Sequence, residues 1–455
     1  MRKFQALARA ARRFTGDSSG NFAILGGVTI SILAMAAGYG INTAQLFNVK
    51  SGLSQAVDAA VTSTARDLTT GKIKLEDADA TVRAFLEANA GRLLAPGEKV
   101  VLNKVTVDKL AGTVEASAYI DVNVFFPLFG TSNRQRVAAS TASLYSDKRI
   151  EVAMMLDVTG SMQGQKIKDL KMAAKNAVDS FLKGEKTPAG EPRVRMSLVP
   201  YANSVNTGDL ASSSVFVERS RADRKQAPAN TDAKAVSSAP RPDNCATERK
   251  GDYRYTDAGP ELSMVNRDYL IDDYSREYNY TPTCPTAKVV PLTEDGKKLK
   301  TEIDAFVADG GTAGHIGIQW AWFTLSENWA GVFQKSERPE KADPEKVAKF
   351  AILMTDGEFN LSYFDVSDGK SAYNASGKTA TRTAAKTLCK EMRKKGIEIF
   401  TIGFKLDTAA AKQTMKDCAS PDGVVKRYFE TSNGKELDTA FQTIAQNIER
   451  LVLTK

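Results

Sequence analysis

The chain has 455 residues, 42% hydrophobic and 25% charged, with a formal net charge of +8. That length accommodates two or three domains, and the balance is that of a folded protein. No arginine-rich reading helix or aromatic RNA-binding signature accompanies the charge, which speaks against nucleic acid as a partner, and His315 as the single histidine excludes multi-histidine zinc sites.

Residues 1–21 are basic through Arg2, Lys3, Arg9, Arg12 and Arg13, and no charged side chain occurs from Ser18 to Val49. Within that stretch Phe22 to Ile41 is apolar or small, long enough as a helix to cross roughly 30 Å of hydrocarbon. The positive-inside bias then predicts a transmembrane helix over 22–41 with a cytoplasmic N-terminus and the remainder translocated. A competing reading is a cleaved signal peptide, with Ala34-Met35-Ala36 as the small-residue site. Ala23, Gly27 and Ser31 line one face of the span, where a partner helix could approach closely.

Residues 42–148 read as a helix followed by a small antiparallel sheet. Leu46, Val49, Leu53, Val57, Ala60, Val61 and Leu68 recur every three to four positions, so the helix is expected to leave the membrane as one amphipathic rod. Gly71 is expected to break it, with a second helix around Leu75 to Leu93. From Thr113 to Val124 polar and apolar residues alternate strictly, the period of a half-buried strand. Val100 to Val107 and Arg136 to Tyr145 supply its neighbours, in an architecture like that of a pilin.

From 149 to 455 strands and helices alternate. Ile150 to Leu156, Val194 to Val199, Phe350 to Met354, Ile397 to Phe404 and Lys426 to Glu430 read as strands. Helices are predicted near Ile167 to Phe181, Lys298 to Ala308, Ile316 to Leu325, Ala375 to Lys395 and Leu437 to Leu451. The fold class is therefore α/β, a doubly wound, mostly parallel sheet with helices on both faces, whose ligands bind beyond the carboxyl ends of the strands. A polar, proline-dotted, tyrosine-rich insertion interrupts it at about 204–300. The even set Cys245, Cys284, Cys389 and Cys418 lacks zinc-knuckle spacing and, in an oxidising compartment, is most simply paired 245 to 284 and 389 to 418. Four buried thiols in a cytosolic protein are the alternative.

Three loops fall at strand ends: "LDVTGSM", "DGGTAGH" and "MTDGEFN". They offer Asp157, Thr159, Ser161, Thr312 and Asp356, two carboxylates and three hydroxyls suited to Mg²⁺, Mn²⁺ or Ca²⁺. Residues i, i+2 and i+4 of an extended loop can point the same way, and Gly160 and Gly357 are expected to permit the turns. An incompletely neutralised ion there could accept a partner's carboxylate.

These three motifs resemble the metal-ion-dependent adhesion site (MIDAS) of a von Willebrand factor A domain, with Thr159 where serine is usual. Over nearly the whole length the chain is similar to TadG-like proteins of the Flp, or tight-adherence, pilus system, in "GNFAILGGVTISILAMAAGYGINTAQL", "NCATER", "PLTEDGKKL", "GGTAGHIGIQWAWFTLS", "DCAS" and "AFQTIAQNIERLVL". The resemblance implies a Gram-negative inner-membrane anchor, a periplasmic A domain, pilus assembly proteins or pilins as partners, and a role in surface attachment. Leu25 stands where pilins carry glutamate, so processing by prepilin peptidase is not expected.

The chain is accordingly expected to be a binding protein and not an enzyme. A Mg²⁺-dependent phosphohydrolase would want a second acid at Thr159, and a serine hydrolase would want glycine there and His315 as base to Ser161. A structural pilus component that uses no metal is the remaining alternative. Trp320, Trp322 and Trp329 read as core packing, with a partner-binding patch as the other possibility.

Overall fold

The computed structural model describes residues 21–90, 98–108, 112–127, 133–146, 148–184, 186–187, 190–217, 244–267, 284–363 and 374–454. It divides into two units, with the boundary between Tyr145 and Ser146 and the short stretch Thr70–Lys72 grouped with the second.

The first unit is dominated by one helix, α1 (Asn21–Thr69), followed by α2 (Ala78–Ala90). Strands β1 (Val100–Asp108), β2 (Thr113–Asn123) and β3 (Arg134–Leu144) form an antiparallel sheet in that order. The expected periodicities set the packing. Leu53, Val57, Ala60, Val61 and Leu68 of α1 share a core with Val82 and Leu86 of α2 and with Val114, Ala116, Ala118, Ile120 and Val122, the inward row of β2. Helix α1 stops at Thr69, and Gly71 follows at φ +66°, a left-handed position where glycine carries no Cβ penalty. The earlier part of α1 has no such core: Ile24, Leu25, Ile30, Leu33 and Ile41 are exposed. Among the described residues this is the one helix long and apolar enough to cross a membrane, and almost none of its apolar window is buried, which separates it from a soluble core helix.

The second unit contains β4 (Arg149–Asp157), α3 (Gln165–Phe181), β5 (Val194–Tyr201), β6 (Val290–Thr293), α4 (Gly296–Asp304), α5 (Gly314–Phe323), β7 (Val347–Thr355), α6 (Ala375–Lys394), β8 (Glu398–Phe404), α7 (Ala409–Cys418), β9 (Tyr428–Thr431) and α8 (Gly434–Thr454). Its six-stranded sheet runs β6-β5-β4-β7-β8-β9, parallel except for β6, which pairs antiparallel with β5. Successive β4 residues point to opposite faces. Ala153 and Met155 join the core under α5, α6 and α7, and Val152, Met154 and Leu156 join the one under α3, α4 and α8.

Strand β6 corrects the sequence reading, which placed 290–293 inside an insertion: the chain returns to the sheet there as its edge strand. Much of the stretch before it is integral too, since Val205, Val215, Ala246 and Val265 belong to the core beneath α5. Tyr253 and Tyr255 are described, while Tyr269, Tyr274, Tyr278 and Tyr280 lie outside the described residues. Both cysteine pairs form as expected, Cys245–Cys284 and Cys389–Cys418. The three tryptophans are fully buried, and Trp329 stacks on Phe323 with ring centroids 3.8 Å apart, so they are core and not a binding patch.

Candidate metal centre

Strand order reverses around β4: its C-terminal end is followed by α3 on one face, while β7 beside it begins the other half of the sheet. In doubly wound sheets the crevice at such a reversal is where ligands bind. Asp157 is the last residue of β4 and Asp356 the first after β7, so the topology alone puts two carboxylates at the switch point.

Asp157 is fully buried and held from both sides. Its Oδ1 accepts from the Thr159 amide at 2.9 Å and the Thr159 hydroxyl at 2.6 Å. Its Oδ2 accepts from the Tyr201 hydroxyl at 2.9 Å, the Thr355 hydroxyl at 2.7 Å and the Asp356 amide at 3.4 Å. Thr159 Oγ1 lies 2.9 Å from Ser161 Oγ, and Ser161 donates to Asp356 Oδ1 at 2.5 Å. The other Asp356 oxygen pairs with Lys166 Nζ at 2.7 Å. The loop is not extended throughout as the spacing argument supposed: a single 3-10 turn at Gly160–Met162 brings Ser161 beside Thr159, and four of the five candidate ligands form one hydrogen-bonded chain.

Thr312 arrives on its own loop. Asp309 and Gly160 amides exchange bonds across to this loop, Asp309 donating to Val158 O at 3.0 Å and Gly160 donating to Gly310 O at 2.9 Å. The Thr312 amide donates to Asn360 Oδ1 at 2.8 Å, and the Gly311 amide to Asn203 Oδ1. Thr312 is therefore buried beside the first loop and pinned to the loop that carries Asp356. Gly160 opens the tight turn in which the Met162 amide donates to Thr159 O at 2.9 Å, and left-handed backbone occurs nearby at Gly164 (φ +77°) and Gly310 (φ +80°).

The donor set is short of protons. Three oxygen–oxygen contacts, Asp157 to Thr159, Thr159 to Ser161 and Ser161 to Asp356, are served by the hydroxyl hydrogens of Thr159 and Ser161 alone if both carboxylates are ionised. Burial, and then the charge of Asp356, push the Asp157 carboxyl up to about 6, against the opposing hydrogen bonds from Thr159 and Thr355. Burial and the neighbouring Asp157 likewise push the Tyr201 hydroxyl well up, so it stays a donor. Such a crowd of oxygen acceptors fits a hard divalent cation. Among the described residues no group of three or more His, Cys, Asp or Glu is placed to hold a metal ion, so a metal here would rely on hydroxyl oxygens besides its two carboxylates.

His315 lies elsewhere. Its ring nitrogens contact Glu248 Oε1 at 2.6 Å and Thr381 Oγ1 at 2.7 Å, all three buried, and Ser161 is bonded to Asp356. The sequence reading had missed Lys166, Tyr201 and Thr355. Only Thr355 had a local signal, as the residue before the aspartate in T-D-G.

The fold and site together define a doubly wound α/β domain with an oxygen-donor acidic site at its switch point. No protein-family profile matches the chain, and no curated protein matches it. Solved structures similar to it include the pilus adhesin SpaC from Lactobacillus rhamnosus GG in its open conformation, at 12% identity and TM-score 0.35 over 78% of this chain and 34% of that one. The chain thus spans about a third of that adhesin's length. Another is the vWF domain of the type V pili tip protein Mfa5 from Porphyromonas gingivalis, at 16% identity and TM-score 0.36 over 67% of this chain and 96% of that one. A third is proximal thread matrix protein 1 from the mussel byssus with a zinc-occupied MIDAS motif, at 12% identity and TM-score 0.31 over 82% of this chain and 52% of that one.

Proposed function

We propose that this chain is a membrane-anchored, periplasmic A-domain protein that uses a divalent cation, Mg²⁺ or Mn²⁺ in the first instance, to hold a carboxylate of a protein partner, and that it serves assembly or anchoring of a Flp/Tad-type pilus and surface attachment. The observation that carries the metal reading is the proton shortage along Asp157, Thr159, Ser161 and Asp356. Those residues, with Thr312, would hold the ion, which when bound supplies an electrophilic point that an incoming carboxylate can share. Tyr201 and Thr355 keep Asp157 oriented from behind, and Asn203 and Asn360 keep the Thr312 loop in place. The pilus assignment and the envelope location rest on the sequence resemblance to TadG-like proteins. The non-enzymatic reading is supported by the engagement of Ser161 with Asp356 and of His315 with Glu248.

One observation favours a second reading, a structural pilus component that needs no metal: Lys166 already neutralises Asp356. Complementation of a deletion strain separates the two. With Asp157→Ala and Asp356→Ala introduced together, loss of attachment at wild-type protein level is expected. Full piliation and attachment would overturn the metal-dependent reading and leave the structural one.

A further inference from the structure

The chain leaving β2, Asn123 to Phe126, lies against α1 where its apolar stretch ends. Asn42, next to Ile41, donates through Nδ2 to Phe126 O at 2.5 Å and accepts from the Phe126 amide at 3.0 Å. One turn further on, Gln45 donates to Asn123 O at 2.9 Å and accepts from the Phe125 amide at 3.3 Å. Two side-chain amides on one helix face thus do for the hairpin backbone what a neighbouring strand would do. An exposed loop in water has no need of this, because water satisfies its peptide groups. At the edge of hydrocarbon it is required.

The side chains on this segment point the same way. Phe125 is 69% exposed and Phe126 47%, and Tyr39, one turn before Asn42 on the helix, is 66% exposed. No charged residue occurs from Val122 to Asn133, nor from Ser18 to Val49. Charge returns at Lys50 on the helix and at Arg134 on the hairpin, where Arg134 Nε donates to Asn123 Oδ1 at 3.1 Å, the same residue that Gln45 grips. Exposed aromatic rings come first, then the amides, and then charge, with Arg134 and also Glu98, whose Oε1 accepts from the Asn123 amide at 3.0 Å, an order of chemistries like that met on leaving a bilayer.

We infer that the Phe125–Phe126 segment is a second membrane contact of the first unit, seating both rings in the interfacial zone of the phospholipid bilayer that the α1 span crosses. The inference rests on the anchored reading of α1 and adds that the small sheet is held at the membrane surface by its own hairpin. Aromatic rings and a snorkelling arginine are the groups that favour this depth.

The test places an environment-sensitive fluorophore on Phe125→Cys or Phe126→Cys in the full chain. The native cysteines are all in disulfides, so only the new thiol reacts. The labelled proteins are reconstituted in vesicles of phosphatidylethanolamine and phosphatidylglycerol carrying nitroxide-labelled lipid at a shallow or a deep acyl position. Ile32→Cys reports on the span and Lys104→Cys on the solvated sheet. The expected result is quenching by the deep label at 32, by the shallow label at 125 and 126, and none at 104. Quenching at 32 without quenching at 125 and 126 overturns the hairpin contact and leaves the anchor intact. No quenching at 32 overturns the anchor and the hairpin contact together. A blue-shifted probe at 125 that lipid does not quench would show that a protein surface covers the segment, and would also overturn the proposal.

Discussion

Strand β4 carries a buried carboxylate near each end, Glu151 and Asp157, and their surroundings differ in sign. At the first end Glu151 meets Arg195 at 2.5 Å and Lys349 at 3.0 Å, while Glu340 meets Arg149 at 3.0 Å and Arg195 at 3.5 Å, and Arg149 also holds Glu191 at 2.8 Å. Acids and bases alternate there, and the cluster is complete without any outside charge. At the other end Lys166 pairs with Asp356, and among the described residues no cation pairs with Asp157. Buried charge is costly unless paired. The balanced end therefore reads as structure, and the unbalanced end as a place built for a charge that arrives from outside.

Breaking the balanced end should have the largest effect. Glu151→Ala removes the carboxylate that faces buried Lys349 and leaves Arg195 with Glu340 at 3.5 Å as its remaining acid, and denaturant unfolding should show a loss of about 3 kcal/mol, equal with and without Mg²⁺. A loss much smaller, or one that depends on Mg²⁺, would mean that the two ends do not differ as described. Breaking the unbalanced end should have a conditional effect. Asp157→Asn removes a like charge from Asp356 but turns an amide NH2 toward donors that the carboxylate accepted from, so metal-free stability should fall modestly, and the variant should lose the gain from Mg²⁺, which at a hundred times Kd is about 2.7 kcal/mol. A melting shift with Mg²⁺ in the wild type that survives in Asp157→Asn would place the ion elsewhere. The smallest effect sharpens the comparison instead of breaking it. Lys166→Ala removes the internal cation, and calorimetric titration should show Mg²⁺ binding roughly fivefold tighter, the equivalent of about 1 kcal/mol for a partly exposed pair. Weaker binding would instead make Lys166 a support that positions Asp356.

The Asp157 half of this contrast was legible in the sequence, because local periodicity and loop chemistry carry it, whereas nothing in the sequence marked Glu151 or its partners. The apolar run into Asp157, the inward row of β2 and the spacing of Asp157, Thr159 and Ser161 are all short-range signals, and each element formed within a few residues of its expected bounds. What stayed hidden depends on partners far along the chain. Tyr201 reaches Asp157 from 44 residues away and Thr355 from 198, and no pattern in either segment announces it. Strand β6 is short and two-sidedly buried, with Pro291 inside it, so neither alternation nor β-propensity marked it. Glu248 was unremarkable in sequence, although it ties the stretch before β6 to His315 on α5 and accepts from the Tyr363 amide at 2.6 Å.

Helix α1 has a mechanical consequence. Its residues from Leu53 to Leu68 are woven into the core of the first unit, and the same unbroken helix continues back through the exposed apolar segment. A pull on the small sheet is therefore carried along a single stiff rod, with no linker to stretch first. Under load such a joint has two ways to fail, shearing α1 out of its core or dragging the apolar segment out of its surroundings. Both require many contacts to yield at once, so the joint resists tension until it gives way abruptly.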